Sequence, residues 1–117
     1  MIYRLISKND WQTARVSGRV DATPSDTDSG FMHFSPKEEV LETALRYFSP
    51  ELCPVVLEVD EVALGPKLQF EAVATRNHIN FPHLYKNSFA IQTVNAVIHL
   101  DWCPKAKWSW GRREIFP

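Results

Sequence analysis

The sequence predicts an α+β fold with a small, mainly antiparallel sheet and two helices near the N-terminus. Short β-branched or alternating segments along the chain are typical of strands, and two early segments repeat apolar residues at helical spacing. No internal repeat is visible. A chain of 117 residues can bury one sizeable core but not two, so we expect a single domain over residues 1–117.

The first elements are predicted to be a strand and a helix. Residues 2–6 are typical of a strand, and Asn9 or Asp10 then offers an N-cap for a short helix. That helix carries three apolar residues: Trp11, Ala14 and Val16. Gly18 is suited to end it.

A polar segment follows the first helix. Residues 19–29 are dominated by Asp, Ser, Thr and Pro, which do not pack a core and favour a loop. Because loops of this length are uncommon, we expect this one to act as a lid.

The second helix has a well-marked start after a brief strand at residues 31–34. Ser35 fits the N-cap, Pro36 the first helical position, and Glu38 the third position of a capping box. Five apolar residues form the predicted buried stripe: Val40, Leu41, Ala44, Leu45 and Phe48. Pro50 ends the helix.

Three more strands are predicted in the second half of the chain. Residues 55–59 are β-branched and suit a central strand, and residues 60–67 form a turn region. The next strand should bury one face, formed by Leu68, Phe70, Ala72 and Ala74. Residues 91–102 repeat this alternation, with a buried face formed by Val94, Ala96, Ile98, Leu100 and Trp102.

Composition and charge argue against several classes of function. Thirteen basic and fourteen acidic residues give a net charge of -1, so a broad surface for nucleic acid is not expected. No long apolar run is present and Arg4 follows close on the N-terminus, so we expect neither a membrane span nor a signal peptide, and a cytoplasmic location. Cys53 and Cys103 belong to no metal-spaced cluster, so free thiols and no metal site are expected.

Two of the four histidines lie in short apolar phrases. Residues 30–35 read Gly-Phe-Met-His-Phe-Ser, and residues 81–85 read Phe-Pro-His-Leu-Tyr. Histidine is suited to proton transfer and polar ligand contacts near neutral pH, so the phrases suggest a pocket.

His33 is the first candidate functional residue. Strand alternation puts it on the same face as Phe31, just before a predicted helix N-terminus whose amides favour anions. A phosphate or carboxylate can therefore lie across His33 and Ser35. The structural alternative is that Ser35 only caps the helix and His33 donates to a backbone carbonyl; for Ser35 the capping role is the simpler account, and for His33 both stay open.

His83 is the second candidate. Proline disfavours helix at Phe81 and predicts a rigid loop, in which Tyr85 can share a hydrogen-bond network with His83. The loop is either a pocket wall or a structural plug with His83 in water. Glu71 reads as a solvated strand carboxylate, unless a cleft brings it to His33, where it can orient a ribose hydroxyl or act as a base.

The C-terminal segment allows two interpretations. Basic residues alternate there with two tryptophans: Lys105, Lys107, Trp108, Trp110, Arg112 and Arg113. Such a segment can hold single-stranded nucleic acid by charge and stacking. The balanced overall charge favours the alternative, a docked segment whose tryptophans cover the sheet.

Taken together, these segments resemble a bacterial and plant domain of unknown function that carries G-F-I-H-x-S, an L-x-W-E strand and F-P-H-L-Y-G. The matching segments keep the family order and include Tyr3, Trp11, Ala14, residues 30–35, residues 68–71 and residues 81–85. That family is grouped by fold with the ADP-ribosyltransferase-like proteins. The resemblance therefore implies a split antiparallel sheet whose cleft binds NAD in active members.

The resemblance also implies roles for particular residues. The candidate catalytic residues are His33, Glu71 and His83. The candidate ligand contacts are Arg4, Phe31, Ser35 and Tyr85. Arg4 stands where the family usually has histidine; it can grip a phosphate but cannot act as a neutral acceptor. Phe70 replaces a tryptophan, and Lys86 replaces a glycine.

Two functions are consistent with these observations. One is an enzyme that binds NAD or a related nucleotide and transfers or hydrolyses ADP-ribose, with Arg4 on phosphate, His33 on ribose and Glu71 polarising the sugar. The other is a non-catalytic module that binds a small ligand or a protein through the same pocket. A purely structural role for both histidine phrases is a third alternative.

Overall fold

The computed structural model describes residues 1–116, and they form an α+β fold with antiparallel sheets. The strands are β1 (Ile2–Ile6), β2 (Arg19–Asp21), β3 (Met32–His33), β4 (Val55–Val59), β5 (Leu68–Val73), β6 (Ile79–Leu84), β7 (Ser88–Ala90), β8 (Val94–Cys103) and β9 (Lys107–Ile115). The helices are α1 (Lys8–Ser17), α2 (Pro24–Ser29), α3 (Val40–Tyr47) and α4 (Glu61–Leu64). None of the helices in the described part of the chain is long and apolar enough to cross a membrane.

The strands form three sheets around one main core. A four-stranded sheet has the order β1-β4-β8-β9, a three-stranded sheet the order β3-β6-β5, and β2 pairs with β7. The main core includes residues from all three sheets, such as Leu57, Met32 and Phe89. On the other side of the four-stranded sheet, Val40 of α3 packs against Tyr3 and Val56.

Three helices, rather than two, lie in the first 47 residues. The first helix begins earlier than expected, since Ser7 is its N-cap and accepts a hydrogen bond from the amide of Asp10. Asn9 and Asp10 are therefore inside the helix. Gly18 ends it in a left-handed conformation, as predicted.

The polar segment at residues 19–29 is not a loop or a lid. Val20 lies in strand β2 and is buried, and residues 24–29 form α2. Thr23 caps this helix, Pro24 occupies its first turn, and Gly30 ends it with φ 87°. Helix capping thus ordered a segment that composition alone assigned to a loop.

The predicted capping role of Ser35 is wrong. Its backbone pairs with Tyr3 at the edge of the large sheet, in hydrogen bonds of 2.7 and 3.0 Å, which fixes Ser35 as extended chain. The helix begins instead with a 3-10 turn at Lys37–Glu39, followed by α3. Val40 and Ala44 are buried as expected, but Leu45 is exposed.

The buried faces of two predicted strands are only partly correct. In β5, Phe70 is 53% exposed, because β5 is the edge strand of the small sheet and lies beyond the core. In β8, Val94, Ala96 and Ile98 are buried, but Trp102 is exposed, since a register shift after Ile98 interrupts the alternation.

The second histidine phrase is a strand, not a loop. Residues 81–84 belong to β6, the central strand of the small sheet. The carbonyl of Pro82 accepts a hydrogen bond from the amide of Phe34 at 3.1 Å. Proline has no N–H, so it cannot donate a second hydrogen bond to the carbonyl of Phe34. This explains why the short partner strand β3 ends at His33.

The C-terminal segment is an integral strand. β9 pairs with β8 along its length, and Trp108 is buried while Trp110 stays at the surface. Lys107 lies over the ring of Trp102, 5.7 Å from its centroid. The segment extends the sheet sideways rather than covering its face.

Candidate functional site

The outer face of the small sheet carries both histidine phrases. His33 of β3 stands opposite His83 of β6 in the strand register, and their ring centroids are 6.2 Å apart. Because side chains alternate along a strand, the intervening Met32 and Leu84 point the other way and are fully buried in the core. The histidines therefore share the face turned away from the core.

A buried carboxylate holds His33. Asp26 of α2 accepts from the His33 ring at Nδ1 (2.7 Å) and from the His33 backbone amide (3.1 Å). The same carboxylate accepts from Arg4 at 2.6 Å and from the amide of Thr23 at 2.8 Å. Arg4 also donates to the carbonyl of His33 at 2.9 Å.

The ionisation of Asp26 shows which nitrogen of the His33 ring donates to it. Burial works to raise the pKa of Asp26, but hydrogen bonds from His33 and Arg4, with the charge of Arg4, hold that pKa well below its usual range. An ionised carboxylate can only accept, so Nδ1 of His33 carries the hydrogen. Nε2 of His33 is left without a protein partner among residues 1–116, on a side chain that is 43% exposed.

A second carboxylate holds His83. Oε1 of Glu71 accepts from Nδ1 of His83 at 2.8 Å and from the hydroxyl of Tyr85 at 2.6 Å. Hydrogen bonds from Tyr85 and His83 lower the pKa of Glu71, so it is a carboxylate at neutral pH. Burial lowers the pKa of His83 below 6.5, against the opposing effect of Glu71. His83 is therefore neutral at pH 7, with its hydrogen on Nδ1.

Phe31, from the first phrase, forms an aromatic wall against both histidines. Its ring stacks on His83 with centroids 3.8 Å apart and lies 4.8 Å from His33. The ring centroid of Tyr85 is 5.6 Å from that of Phe31. The arrangement leaves His83 largely covered and His33 half exposed.

A cavity of about 620 Å³ adjoins this face. Phe31 and Tyr85 line it together with Asp26, and two lysines, Lys67 and Lys86, stand on its wall. Its size is in the range of small-molecule sites. The cavity and the histidines thus share the aromatic wall.

The candidate residues divide into two groups. Five of them meet on this face: Phe31, His33, Glu71, His83 and Tyr85. Arg4 and Ser35 are elsewhere: Arg4 is 2% exposed and committed to Asp26, and Ser35 is buried with its hydroxyl 3.4 Å from that of Thr43. A direct contact of Arg4 with a ligand phosphate would therefore require breaking this buried ion pair.

Asp26 is the site residue that the sequence analysis missed. Its segment was assigned to a loop, yet Thr23-Pro24-Ser25-Asp26 is a helix start with a capping box, and Gly30 is a helix end. Those signals would have placed Asp26 in a helix leading directly into the first histidine phrase.

The other two histidines lie away from this face. His78 is exposed in the turn between β5 and β6, with φ 59°. His99 of β8 contacts Glu114 through Nε2 at 3.1 Å, on the large sheet. Within residues 1–116, no group of three or more His, Cys, Asp or Glu side chains is arranged to hold a metal ion.

Fold and site together define an α+β domain with a two-histidine face on its small sheet. The chain belongs to the family described as protein of unknown function DUF952, whose profile matches residues 5–98.

Two solved structures are similar to the chain over most of its length. The crystal structure of protein CC0527 from Caulobacter crescentus has a TM-score of 0.82 at 31% identity, covering 92% of each chain. The solution NMR structure of CC0527 has a TM-score of 0.75 at 32% identity, covering 91% of this chain and 89% of that one. No curated protein matches the chain.

Proposed function

We propose that the two-histidine face binds NAD or a closely related nucleotide and catalyses cleavage of its nicotinamide–ribose bond, by hydrolysis or by transfer of ADP-ribose. The observation that carries this proposal is the pair of imidazoles, each held at Nδ1 by a carboxylate, with Nε2 of the half-exposed His33 left to act on a ligand. The choice of NAD as substrate comes from the ADP-ribosyltransferase-like fold that the sequence resemblance implies.

Glu71 is the group that stabilises developing positive charge in this proposal. Its Oε1 is occupied by His83 and Tyr85, so Oε2 is left to accept from a ribose hydroxyl. Because its low pKa keeps it ionised, its charge favours the oxocarbenium-like ribose that forms as the bond to nicotinamide breaks. His83 and Tyr85 position this carboxylate.

His33 is the base in the same scheme. Its Nε2 takes the proton from a water molecule, the water oxygen bonds to the anomeric carbon, and neutral nicotinamide leaves with the electrons of the broken C–N bond. In transfer, an acceptor hydroxyl or amine takes the place of water. Asp26 supports His33 because the imidazolium that forms lies against a carboxylate.

The test is an assay of NAD cleavage that measures nicotinamide and ADP-ribose by chromatography. We expect activity in the wild type, and a loss of about a hundredfold or more in His33→Ala and in Glu71→Gln. His99→Ala, on the other sheet, serves as the control and should retain activity. Absence of product from folded wild type with NAD and water, or unchanged activity in His33→Ala, would contradict the hydrolytic proposal.

The second candidate is a binding module without turnover. It is favoured by the stacking of Phe31 on His83, which leaves the His83 side chain only 9% exposed. This candidate predicts saturable binding of ADP-ribose, no cleavage of NAD, and unchanged affinity in Glu71→Gln.

A further inference from the structure

We infer that Lys67 and Lys86 form a diphosphate subsite, so that the ligand of this protein is a ribose joined to a nucleoside diphosphate. This inference rests on the proposed function, since it extends the ligand from the histidine face into the adjoining cavity. The sequence had assigned the phosphate to Arg4, and the structure commits that side chain to Asp26.

The two lysines come together at the open end of the small sheet. The amide of Tyr85 donates to the carbonyl of Lys67 at 3.0 Å, so Lys67 lies across from Tyr85, and Lys86 follows Tyr85 in the chain. Both side chains are exposed on the cavity wall. Both lysines are therefore backbone neighbours of Tyr85, the residue that donates to Glu71.

Charge in the cavity favours an anion. Asp26 also lines it, but its carboxylate is matched by Arg4 and its oxygens accept from four residues or backbone groups. Within residues 1–116 neither Lys67 nor Lys86 forms an ion pair. Two unpaired ammonium groups match the two negative charges of a bridging diphosphate.

The cavity wall also supplies polar groups of the kind that bind phosphate oxygens. Thr27, Asn87 and Ser88 line it beside the lysines. Phe31 and Tyr85 connect the cavity to the histidines, with 3.8 Å between the centroids of Phe31 and His83. A ligand that passes this aromatic wall places its ribose at the histidines and its diphosphate at the lysines.

The experiment is a calorimetric titration with ADP, adenosine and pyrophosphate. We expect ADP to bind, and to bind about tenfold or more weakly in the double variant Lys67→Ala/Lys86→Ala. The control is Lys37→Ala/Lys105→Ala, which removes the same charge from exposed sites outside the cavity and should leave the affinity unchanged.

Pyrophosphate and adenosine distinguish a nucleotide subsite from a site for free diphosphate. ADP binding more tightly than both pyrophosphate and adenosine supports a nucleotide subsite, whereas equal affinities for ADP and pyrophosphate would overturn it. Equal loss of ADP affinity in the two double variants, or no loss in either, would also overturn the subsite and leave the proposed cleavage of NAD intact. Conversely, a lysine-dependent ADP affinity without NAD cleavage would contradict the hydrolytic function and leave the subsite standing.

Discussion

The two site histidines are held by carboxylates in very different surroundings. Asp26 is buried and shared among His33, Arg4 and the cap of α2, whereas Glu71 is half exposed and shared with Tyr85. The first carboxylate therefore supports the fold as well as the site, and the second is available to a ligand.

Replacing Asp26 with asparagine should destabilise the protein strongly. The change leaves the guanidinium of Arg4 buried without its counter-charge, a loss of about 3–5 kcal/mol in the free energy of unfolding. The measurement is denaturant unfolding followed by tryptophan fluorescence. Asp28→Asn, at an exposed position of the same helix, is the control and should change stability by less than about 0.5 kcal/mol. Equal effects of the two changes would contradict the account.

Removing the ring of Phe31 should raise the pKa of His83. Burial holds that pKa below 6.5, so the folded protein binds fewer protons at His83 than the unfolded chain and loses stability as the pH falls below 6.5. In Phe31→Ala the imidazole is open to water, its NMR titration should move toward 6.5, and the loss of stability on acidification should become smaller. An unchanged titration would show that Phe31 does not desolvate His83.

At the scale of elements, α2 decides the geometry of the site. This six-residue helix has a capped start, proline in its first turn and glycine at its end, and it delivers Asp26 to the histidine strand. Composition alone did not reveal helix α2, because the residues that cap helices are the same polar types that are common in loops. Strands β1 and β4 were predicted with their observed bounds, since each is a short segment made mostly of apolar residues that can be recognised without its partner strand. Ser35 was misassigned because its extended conformation depends on a distant strand, which no local pattern reveals.

A matched pair of glycines tests the role of α2. Gly18 and Gly30 end α1 and α2 with φ of 83° and 87°, and an added Cβ meets no atom within 4 Å at either position. Each change to alanine should therefore cost about 1–2 kcal/mol through backbone strain alone. Only Gly30→Ala should shift the NMR signals of His33, because it displaces the helix that carries Asp26. Equal shifts of His33 in both variants would refute this role.

At the scale of the molecule, the core ties the histidine face to the rest of the fold. Met32 and Leu84 lie behind the histidines, and they belong to the same cluster as Leu57 and Val97 of the large sheet. The sequence predicted the α+β class and named the five residues as candidates together with Arg4 and Ser35, but it did not show that the five lie on one face. It could not predict that Phe70 lies outside the core, since strand order is set by pairing between distant segments.

The shared core predicts that both sheets unfold together. Tryptophan fluorescence reports mainly on the large sheet, through Trp108 and its neighbour Trp102, while the NMR signals of His33 and His83 report on the small one. We expect the two probes to give the same denaturant midpoint. A lower midpoint for the histidine signals would mean that the small sheet opens independently of the core.

The most direct test of the central claim is a long-range proton–nitrogen NMR spectrum of the histidine rings during titration with ADP-ribose. We expect hydrogen on Nδ1 and saturable shifts of Nε2 for His33 and His83, while His78 and His99 remain unchanged. If His33 and His83 show no saturable shift at millimolar ADP-ribose, or shift no more than His78 and His99, the face is not a binding site for this nucleotide.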